Sequence, residues 1–317
     1  MNVCVLGGSG FVGTELVIRL VHQGHWVRVP TRNLAHAERL RVLETAELRV
    51  ANVHEPRVLS QLFRDCDAVI NLVGILNPHR HATFEAVHTA LAAKVMTAAR
   101  GVGVGQLLHL SAVGAHADAP SRYLRSKAAA EAHLRAAAAD GAHPAVTIFR
   151  PSVIFGANDS LTNRFAALLR LAGGWLPLAR ARARFAPISV IDVVEASVRV
   201  LNGRPSSSTG SVALYELCGP EVMTLEGIVR LTARAAGLPC HIVPLPDALG
   251  WLEGLVMGLL PGTPFSLDNF RSLTIDAVCR ENGCAALGMT PRTMLSELPL
   301  YLAPAPPPPV PDAGATA

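Results

Sequence analysis

Residues 2–13 read Asn-Val-Cys-Val-Leu-Gly-Gly-Ser-Gly-Phe-Val-Gly, an apolar segment that runs directly into a glycine-rich turn. Gly8, Gly10 and Gly13 form the pattern G-x-G-x-x-G, and Gly7, Gly10 and Gly13 also form G-x-x-G-x-x-G. Such a turn lets backbone N–H groups approach a pyrophosphate closely, and the following helix directs its positive N-terminus at the same anion. Because a helical pattern follows the turn, the stretch predicts the start of a dinucleotide-binding fold. A tight turn without a ligand is the alternative.

The end of the second predicted strand, over 25–30, indicates which dinucleotide is preferred. Folds that prefer NAD carry Asp or Glu at this point, which accepts a hydrogen bond from the ribose 2′-hydroxyl. This chain has Thr31 and Arg32 instead. A guanidinium suits a 2′-phosphate through bidentate, charge-assisted hydrogen bonds. The sequence therefore favours NADP(H) over NAD(H), with a solvated loop charge as the alternative for Arg32.

Strand and helix patterns continue to alternate after this unit. The apolar run over 68–73 lacks alternation, which is typical of a strand buried on both faces of a parallel sheet. The pattern predicts further strands over 48–50, 107–111 and 146–150, and helices over 11–23, 84–100 and 123–139. This order predicts an α/β fold with a doubly wound parallel Rossmann sheet, and ligands beyond the carboxyl ends of its strands.

The alternation weakens in the second half of the chain, which sets the predicted domain boundaries. We expect an NAD(P)-binding Rossmann domain over 1–155, with 186–203 returning to it. A smaller C-terminal α/β domain that binds a substrate or partner is predicted over 156–185 and 204–302. Residues 303–317 are rich in Pro and Ala and are predicted to form a tail.

Composition narrows the class of protein and of partner. The chain has 317 residues, 50% hydrophobic and 16% charged, so it can bury a core and is not a disordered chain. The net charge is +4, and no basic patch is interleaved with aromatic residues, so no nucleic-acid partner is expected. Arg180, Arg182 and Arg184 alternate, and a solvated edge or an anionic contact are the alternatives for them.

The cysteines and histidines form no recognisable site pattern. No C-x-x-C pair occurs, and we expect Cys4 and Cys66 in the core and Cys279 and Cys284 as packing residues, which suits a reducing compartment. No metal site is expected, because the nearest candidates are irregularly spaced and lack a cysteine or carboxylate cluster; they are His79, His81 and His88.

A second motif predicts proton transfer. In Tyr123-Leu124-Arg125-Ser126-Lys127, the Tyr and Lys lie at i and i+4 on one helix face. A phenol has an ordinary pKa near 10, so a nearby ammonium is needed to make it useful near pH 7. Ser111 ends the preceding strand and could hold a substrate oxygen while Tyr123 exchanges the proton and the nicotinamide exchanges hydride. The candidate catalytic residues are therefore Ser111, Tyr123 and Lys127, with an unidentified small molecule as substrate.

These motifs together resemble the extended or atypical short-chain dehydrogenase/reductase superfamily. They include Gly7–Gly13, Asn71–Gly74, His109–Ala112, the Tyr123/Lys127 pair and Phe149–Gly156, with 187–193 later in the chain. The stretches Asn71–Leu76, Arg150–Gly156 and Glu216–Pro220 resemble the nucleotide-binding accessory subunit of respiratory complex I and its bacterial relatives more than the sugar epimerases. That resemblance implies tight NADPH binding with a structural role and no demonstrated turnover.

The resemblance also implies a role for individual residues. The glycine turn would hold the pyrophosphate, Arg32 the adenosine phosphate, and Lys127 the nicotinamide ribose. Asn52 and Val53 would lie by the adenine, although many relatives have Asp in place of Asn52. Catalytic members often carry Asn where His88 stands. The full set of predicted cofactor-binding residues is Gly7, Gly8, Ser9, Gly10, Phe11, Val12, Gly13, Arg32, Asn52, Val53, Val73, Gly74, Lys127, Pro151 and Val153.

One apolar stretch bears on partners. Ala248–Leu260 carries the single charge of Glu253 and is too short to span a bilayer. Packing within the second domain, or contact with a membrane or partner, are the alternatives.

Two hypotheses for the function follow from the sequence: an NADP-dependent oxidoreductase or related epimerase, or a non-catalytic accessory or assembly protein of a respiratory or quinone-related membrane complex. Because Asn2 already belongs to the first strand, we expect no leader and a cytoplasmic location, with peripheral attachment to the inner membrane face left open.

Overall fold

The computed structural model describes residues 1–78, 82–141, 143–203, 212–258 and 265–303. The strands are β1 (Asn2–Leu6), β2 (Trp26–Thr31), β3 (Ala46–Val50), β4 (Ala68–Asn71), β5 (Gln106–Leu110), β6 (Ala145–Pro151), β7 (Ile154–Phe155), β8 (Trp175–Ala179), β9 (Arg184–Phe185), β10 (Ile188–Ser189), β11 (Ala213–Leu217), β12 (Met223–Thr224) and β13 (His241–Leu245). The helices are α1 (Phe11–His22), α2 (Pro56–Phe63), α3 (Leu91–Gly101), α4 (Arg122–Ala138), α5 (Thr162–Leu171), α6 (Val190–Asn202), α7 (Leu225–Ala235), α8 (Asp247–Met257), α9 (Leu267–Ser272), α10 (Gly283–Ala286), α11 (Met294–Glu297) and α12 (Pro299–Leu302). A 3-10 segment covers Leu34–Leu40, and a π-helical segment covers Glu85–Ala90.

Seven parallel strands form the main sheet, in the order β11-β6-β5-β4-β1-β2-β3. This confirms the predicted α/β class and the doubly wound parallel Rossmann sheet. The chain adds strands outward from β1 to β3 on one side and from β4 to β11 on the other, so the order reverses between β1 and β4. Ligands bind at such a switch point, beyond the carboxyl ends of the strands.

The first strand shows why this sequence forms a sheet with two covered faces. Val3 and Val5 belong to the core on the α1 side, together with Leu16 and Leu20. Cys4 and Leu6 belong to the core on the α3 side of the sheet. Successive side chains of a strand point to opposite faces, so a continuous apolar strand needs helices on both sides.

The second half of the chain contributes to both parts of the molecule. α6 packs on the α1 side of the sheet through Val193, Val194 and Leu201. β11 is the edge strand of the main sheet, although its residues lie within the predicted smaller domain. Three two-stranded sheets, β7/β10, β8/β13 and β9/β12, occupy the described residues between and after these elements. The proposed domain boundaries themselves stay a prediction.

The expectation for the cysteines needs a correction. Cys218 and Cys279 form a disulfide, whereas the sequence predicts only a packing role for Cys279. The two residues are 61 positions apart, so no local spacing motif predicts the disulfide. The fold brings them together, because the segment after α9 lies against the end of β11. Cys4, Cys66, Cys240 and Cys284 are free thiols.

The apolar stretch predicted at 248–260 forms helix α8, and 259–260 lie outside the described residues. Gly250 and Gly254 are buried. The opposite face of the helix is exposed and apolar, and it consists of Leu249, Trp251, Leu252, Leu255 and Val256. Among the helices of the described residues, none is long and apolar enough to cross a membrane. Apart from Ala303, the predicted tail also lies outside the described residues.

Candidate functional site

The glycine turn between β1 and α1 has no room for a Cβ at two of its glycines and disfavours one at a third. A Cβ on Gly13 would lie 2.2 Å from Gly7 O and 2.6 Å from Gly8 Cα. Gly7 has a φ of 79°, and a Cβ there would lie 3.2 Å from Val73 N. A Cβ on Gly8 would lie 2.8 Å from Val29 Cγ1. The turn therefore brings its backbone close to β2 and to the segment that follows β4.

The start of α1 leaves donors free for an anion. Its N-cap is Gly10, which offers no side-chain acceptor, and the first turn carries no acidic residue. Within the described residues, no backbone acceptor takes the N–H groups of Phe11, Val12 or Gly13. Orphan donors at a helix N-terminus, next to a turn that only glycine can form, fit a pyrophosphate. The residues present therefore fit the nucleotide that the sequence predicts.

Arg32 follows directly after β2, and its contact with an adenosine phosphate stays a prediction. Its neighbours Arg28 and Arg39 pair with carboxylates, at 2.7 Å and 3.0 Å. No carboxylate in the described part of the chain pairs with the exposed Arg32 guanidinium. Thr31 beside it is buried and lies 3.4 Å from the Ser9 hydroxyl, oxygen to oxygen. Arg32 therefore extends from the edge of the glycine turn with its donors unused by the described residues.

The predicted adenine-side residues follow β3. Asn52 Oδ1 accepts the N–H of His54 at 3.1 Å, and Asn52 Nδ2 donates to Glu55 Oε1 at 2.8 Å. Burial lowers the pKa of His54, and the charges of Lys94 and Arg32 lower it further, which places Arg32 near this segment. Val53 packs against the core on the α3 side. The adenine contact of Asn52 and Val53 stays a prediction.

Gly74 lies in front of Lys127. A Cβ on Gly74 would lie 3.3 Å from Lys127 Nζ and 3.5 Å from His88 Nε2. Val73 is held by its N–H, which donates to Asn71 Oδ1 at 3.2 Å. The structure therefore brings the glycine turn, the segment after β4 and the α4 lysine to one edge of the sheet.

Lys127 is buried and donates to Leu110 O at 2.8 Å. Burial lowers its pKa to about 8, although the charge of Glu131 opposes that shift. Burial raises the pKa of Tyr123 to about 12. Tyr123 is therefore protonated at neutral pH, but its proton is held more tightly than that of an ordinary phenol. The expected lowering of its pKa by the Lys127 ammonium is not seen, because burial raises the pKa instead. Its ring packs edge-on against His88, with the centroids 5.6 Å apart.

His88 is an uncharged residue that links the segment after β4 to helix α4 by hydrogen bonds. Its Nε2 accepts the N–H of Ile75 at 3.0 Å, so the ring proton lies on Nδ1, 2.8 Å from Ser126 Oγ. Ser126 in turn donates to Tyr123 O at 2.7 Å. Burial lowers the pKa of His88 to about 3, with a smaller contribution from Lys127. This chain of hydrogen bonds ends at a main-chain carbonyl, so it does not continue to the Lys127 ammonium.

Ser111 makes a different contact from the one its predicted role requires. Its Oγ donates to Glu131 Oε1 at 2.5 Å, and both residues are buried. Arg150 donates to both oxygens of the same carboxylate, at 2.8 Å and 2.6 Å. The hydroxyl proton that would hold a substrate oxygen is therefore already donated. This geometry argues against the predicted catalytic role of Ser111, because a buried carboxylate competes for its proton.

Sequence reasoning missed Glu131, Arg150 and His109. Glu131 lies four residues after Lys127, so its helical spacing was a usable signal. His109 is buried in β5, with Nδ1 3.2 Å from Asn71 Nδ2. Burial lowers its pKa to about 3. Both histidines near Lys127 are therefore uncharged at neutral pH.

The predicted nicotinamide-side residues lie at the end of β6. Pro151 O accepts the N–H of Val113, and Val153 O accepts the N–H of Ile188, both at 3.0 Å. These bonds join the end of β6 to the segment that follows β5, and the segment after β6 to β10. The contact of Pro151 and Val153 with a nicotinamide stays a prediction. No group of three potential metal ligands occurs among the described residues, and His79 and His81 lie outside them.

The fold and this edge of the sheet define a nucleotide-binding family. The chain belongs to the NAD dependent epimerase/dehydratase family, whose model matches residues 3–212. A solved structure of MoeE5 in complex with UDP-glucuronic acid and NAD has the same fold, with a TM-score of 0.73 and 20% identity over 95% of this chain and 97% of that one. The match to the family model confirms the resemblance to the extended short-chain dehydrogenase/reductase superfamily, and the solved structure shows the shared fold.

Among relatives, the chain is similar to subunits of respiratory complex I. It is 30% identical over 296 residues to the Arabidopsis thaliana protein "NADH dehydrogenase [ubiquinone] 1 alpha subcomplex subunit 9, mitochondrial", covering 88% of this chain and 71% of that protein. The Neurospora crassa NADH-ubiquinone oxidoreductase 40 kDa subunit is 27% identical over 73% of this chain and 59% of its own length. A Caulobacter vibrioides ceramide reductase is 27% identical over 77% of this chain and 74% of its own length.

Proposed function

We propose that this chain is an NADP(H)-binding, oxidoreductase-like protein of the complex I nucleotide-binding-subunit type. The observation that carries the preference for NADP(H) is the Arg32 guanidinium, which is exposed beside the glycine turn and has no carboxylate partner in the described residues. No acidic residue stands at the end of β2 to accept a ribose hydroxyl. An unpaired guanidinium at this position supports binding of a 2′-phosphate.

The test compares two arginine variants of the same surface. Arg32→Gln should weaken NADPH binding about 10- to 150-fold, because a hydrogen bond to a charged group contributes about 1.5–3 kcal/mol. NADH binding should change little, since NADH lacks the 2′-phosphate. Arg39→Gln is the matched control, because Arg39 is exposed nearby and already pairs with Glu15. An unchanged ratio of NADPH to NADH affinity in Arg32→Gln, measured by calorimetry, would contradict the proposal.

The same site supports reduction of a carbonyl compound. The bound nucleotide supplies hydride. Tyr123 holds its proton at neutral pH and can donate it to a carbonyl oxygen, while Lys127 binds and orients polar groups beside Gly74. The name of the Caulobacter relative, a reductase, supports this direction of reaction. The substrate class is therefore a small molecule that carries a carbonyl group.

Tyr123→Phe separates the catalytic proposal from nucleotide binding. We expect the variant to retain bound nucleotide and to lose the cellular function of the protein, because only the proton donor is removed. Tyr215→Phe is the matched control, since Tyr215 lies in β11 and belongs to a different part of the sheet. If Tyr123→Phe keeps both the nucleotide and the cellular function, the catalytic proposal is wrong.

The alternative is a non-catalytic accessory or assembly protein of a membrane respiratory or quinone-related complex. The engaged Ser111 hydroxyl and the names of the complex I relatives support it. In this alternative the protein lies on the cytoplasmic side and attaches peripherally through the exposed apolar face of α8. The nucleotide then stabilises the Rossmann fold and is not consumed.

Membrane fractionation tests this attachment. The double variant Leu252→Ser/Val256→Ser should move from the membrane fraction to the soluble fraction while it retains nucleotide. Leu300→Ser is the matched control, because Leu300 is 77% exposed on α12, outside the α8 face. Equal fractionation of the wild type and the α8 variant would contradict attachment through α8.

A further inference from the structure

Residues 266–282, which we call the strap, lie along the carboxyl edge of the main sheet. The strap includes α9 and meets, in order, the start of α4 and the segments that follow β5, β6 and β11. Ile275 Cδ1 would lie 2.9 Å from a Cβ on Gly114, after β5. Ala277 O accepts the Ser152 hydroxyl at 2.6 Å, after β6. Arg280 N–H donates to a carboxylate of β11 at 2.7 Å.

Asp268 is the strap residue that meets helix α4. Its Oδ1 accepts the N–H of Arg122 at 2.7 Å, and its Oδ2 accepts the N–H of Tyr123 at 2.9 Å. Ser121 caps only the N–H of Leu124, at 3.2 Å. The strap therefore satisfies the first two orphan donors of the helix, and its negative charge lies at the positive end of the helix dipole.

Asp268 is itself held in place. Ser266 and Asn269 form a reciprocal capping box at the start of α9. Helix α8 packs closely on the same residues, since a Cβ on Gly254 would lie 3.2 Å from Leu267 Cα. At the far end, the Cys218–Cys279 disulfide ties the strap to the end of β11. The carboxylate is thus fixed from both sides before it meets α4.

We propose that Asp268 is a positioning residue for Tyr123, so that a distant part of the chain fixes the first turn of the helix that carries the candidate proton donor. The ring of Tyr123 rests against His88 and Phe84, and its main chain is held by Asp268. If the carboxylate is removed, the first turn of α4 frays and the phenol loses its enclosure. The consequence for proton donation rests on the proposed function, whereas the placement of Tyr123 does not.

The experiment follows Tyr123 directly with fluorine. The chain has 3 tyrosines, so protein labelled with 3-fluorotyrosine gives three ¹⁹F signals. The signal that is missing from the Tyr123→Phe variant is assigned to Tyr123. The variants are Asp268→Ala, Asp268→Asn and the control Asp276→Ala, which removes another carboxylate of the strap that bonds to Arg184 instead of α4. Signal position against pH and deuterium exchange of the amides in the first turn of α4 are measured for each variant.

Asp268→Ala should speed exchange in the first turn of α4 about 5- to 30-fold, as loss of a helix cap does. The pKa read from the Tyr123 signal should fall towards that of an exposed tyrosine. Asp268→Asn should show a smaller change, since it keeps one acceptor, and Asp276→Ala should match the wild type. If Asp268→Ala does not fold, the Asp268→Asn signals decide.

The proposal is overturned if Asp268→Ala, or Asp268→Asn where it stands in, leaves the Tyr123 signal unchanged. It is also overturned if all three tyrosine signals move together, because the effect is then global. NADPH binding by the same samples is measured separately. Failure of the wild type to bind NADPH contradicts the proposed function, and it leaves the ¹⁹F result to decide the role of Asp268.

Discussion

Replacing Glu131 with Gln should destabilise the protein by about 3 kcal/mol. The Glu131 side chain is 3% exposed and accepts two hydrogen bonds from Arg150 and one from Ser111. Removing one partner of a buried ion pair costs about 3–5 kcal/mol, because the other charge stays buried. The lower end applies, since Arg150 is 22% exposed and Glu216 lies 3.9 Å away as a second carboxylate.

Urea unfolding measures this loss against a matched control. Glu226→Gln removes an i, i+4 pair with Arg230 on the surface of α7, where we expect no more than about 0.5 kcal/mol. Ser111→Ala should cost about 1.5–3 kcal/mol, the contribution of a hydrogen bond to a charged group, and should leave NADPH affinity unchanged. A loss below about 1 kcal/mol for Glu131→Gln, or a loss equal to that of Glu226→Gln, would refute the reasoning.

Three further outcomes are expected. Gly13→Ala should abolish nucleotide binding in calorimetry, because its Cβ would lie 2.2 Å from a backbone oxygen of the turn, while Gly101→Ala, with no atom within 4 Å, should bind normally. Cys279→Ser should lower the free energy of unfolding in oxidising buffer by about 4 kcal/mol, since the disulfide closes a loop with a separation of 61 residues; Cys240→Ser should not. The pKa of Lys127 is about 8, below its usual value, so the unfolded chain binds more protons above pH 8. The stability of the nucleotide-free protein, measured by urea unfolding, should therefore rise from pH 8 towards pH 10, and Lys127→Met should remove that rise.

The main sheet was predictable because its signals are local. The apolar run of β1, the glycines after it and the helical stripe of α1 occupy adjacent residues, and each repeats a known period. The position of β11 was not predictable in this way. Its residues Ala213–Leu217 are followed by short, irregular elements, and only pairing with β6 shows that they extend the main sheet.

In the candidate site, too, local spacing predicts some residues, whereas the contacts of others depend on distant parts of the chain. Tyr123 and Lys127 share one helix, so their spacing alone predicts a common face. The contact of Ser111 depends on Glu131 and Arg150, which come from α4 and β6, and a buried carboxylate takes a proton that a strand-end serine would otherwise offer to substrate. Asp268 is more than 140 residues from the helix it caps, and no pattern in the sequence announces such a contact.

The spacing of α4 also links the buried ion pair to the nucleotide site. Tyr123, Lys127 and Glu131 follow one another at intervals of four residues, so they lie along one stripe of the helix. Burial lowers the pKa of Lys127, and the charge of Glu131 raises it, with a balance near 8. The carboxylate therefore helps to keep the ammonium charged at neutral pH, although Arg150 is its direct partner. It follows that Glu131 has two effects that Ser111 does not share: it neutralises the partly buried Arg150, and it maintains the positive charge that faces Gly74.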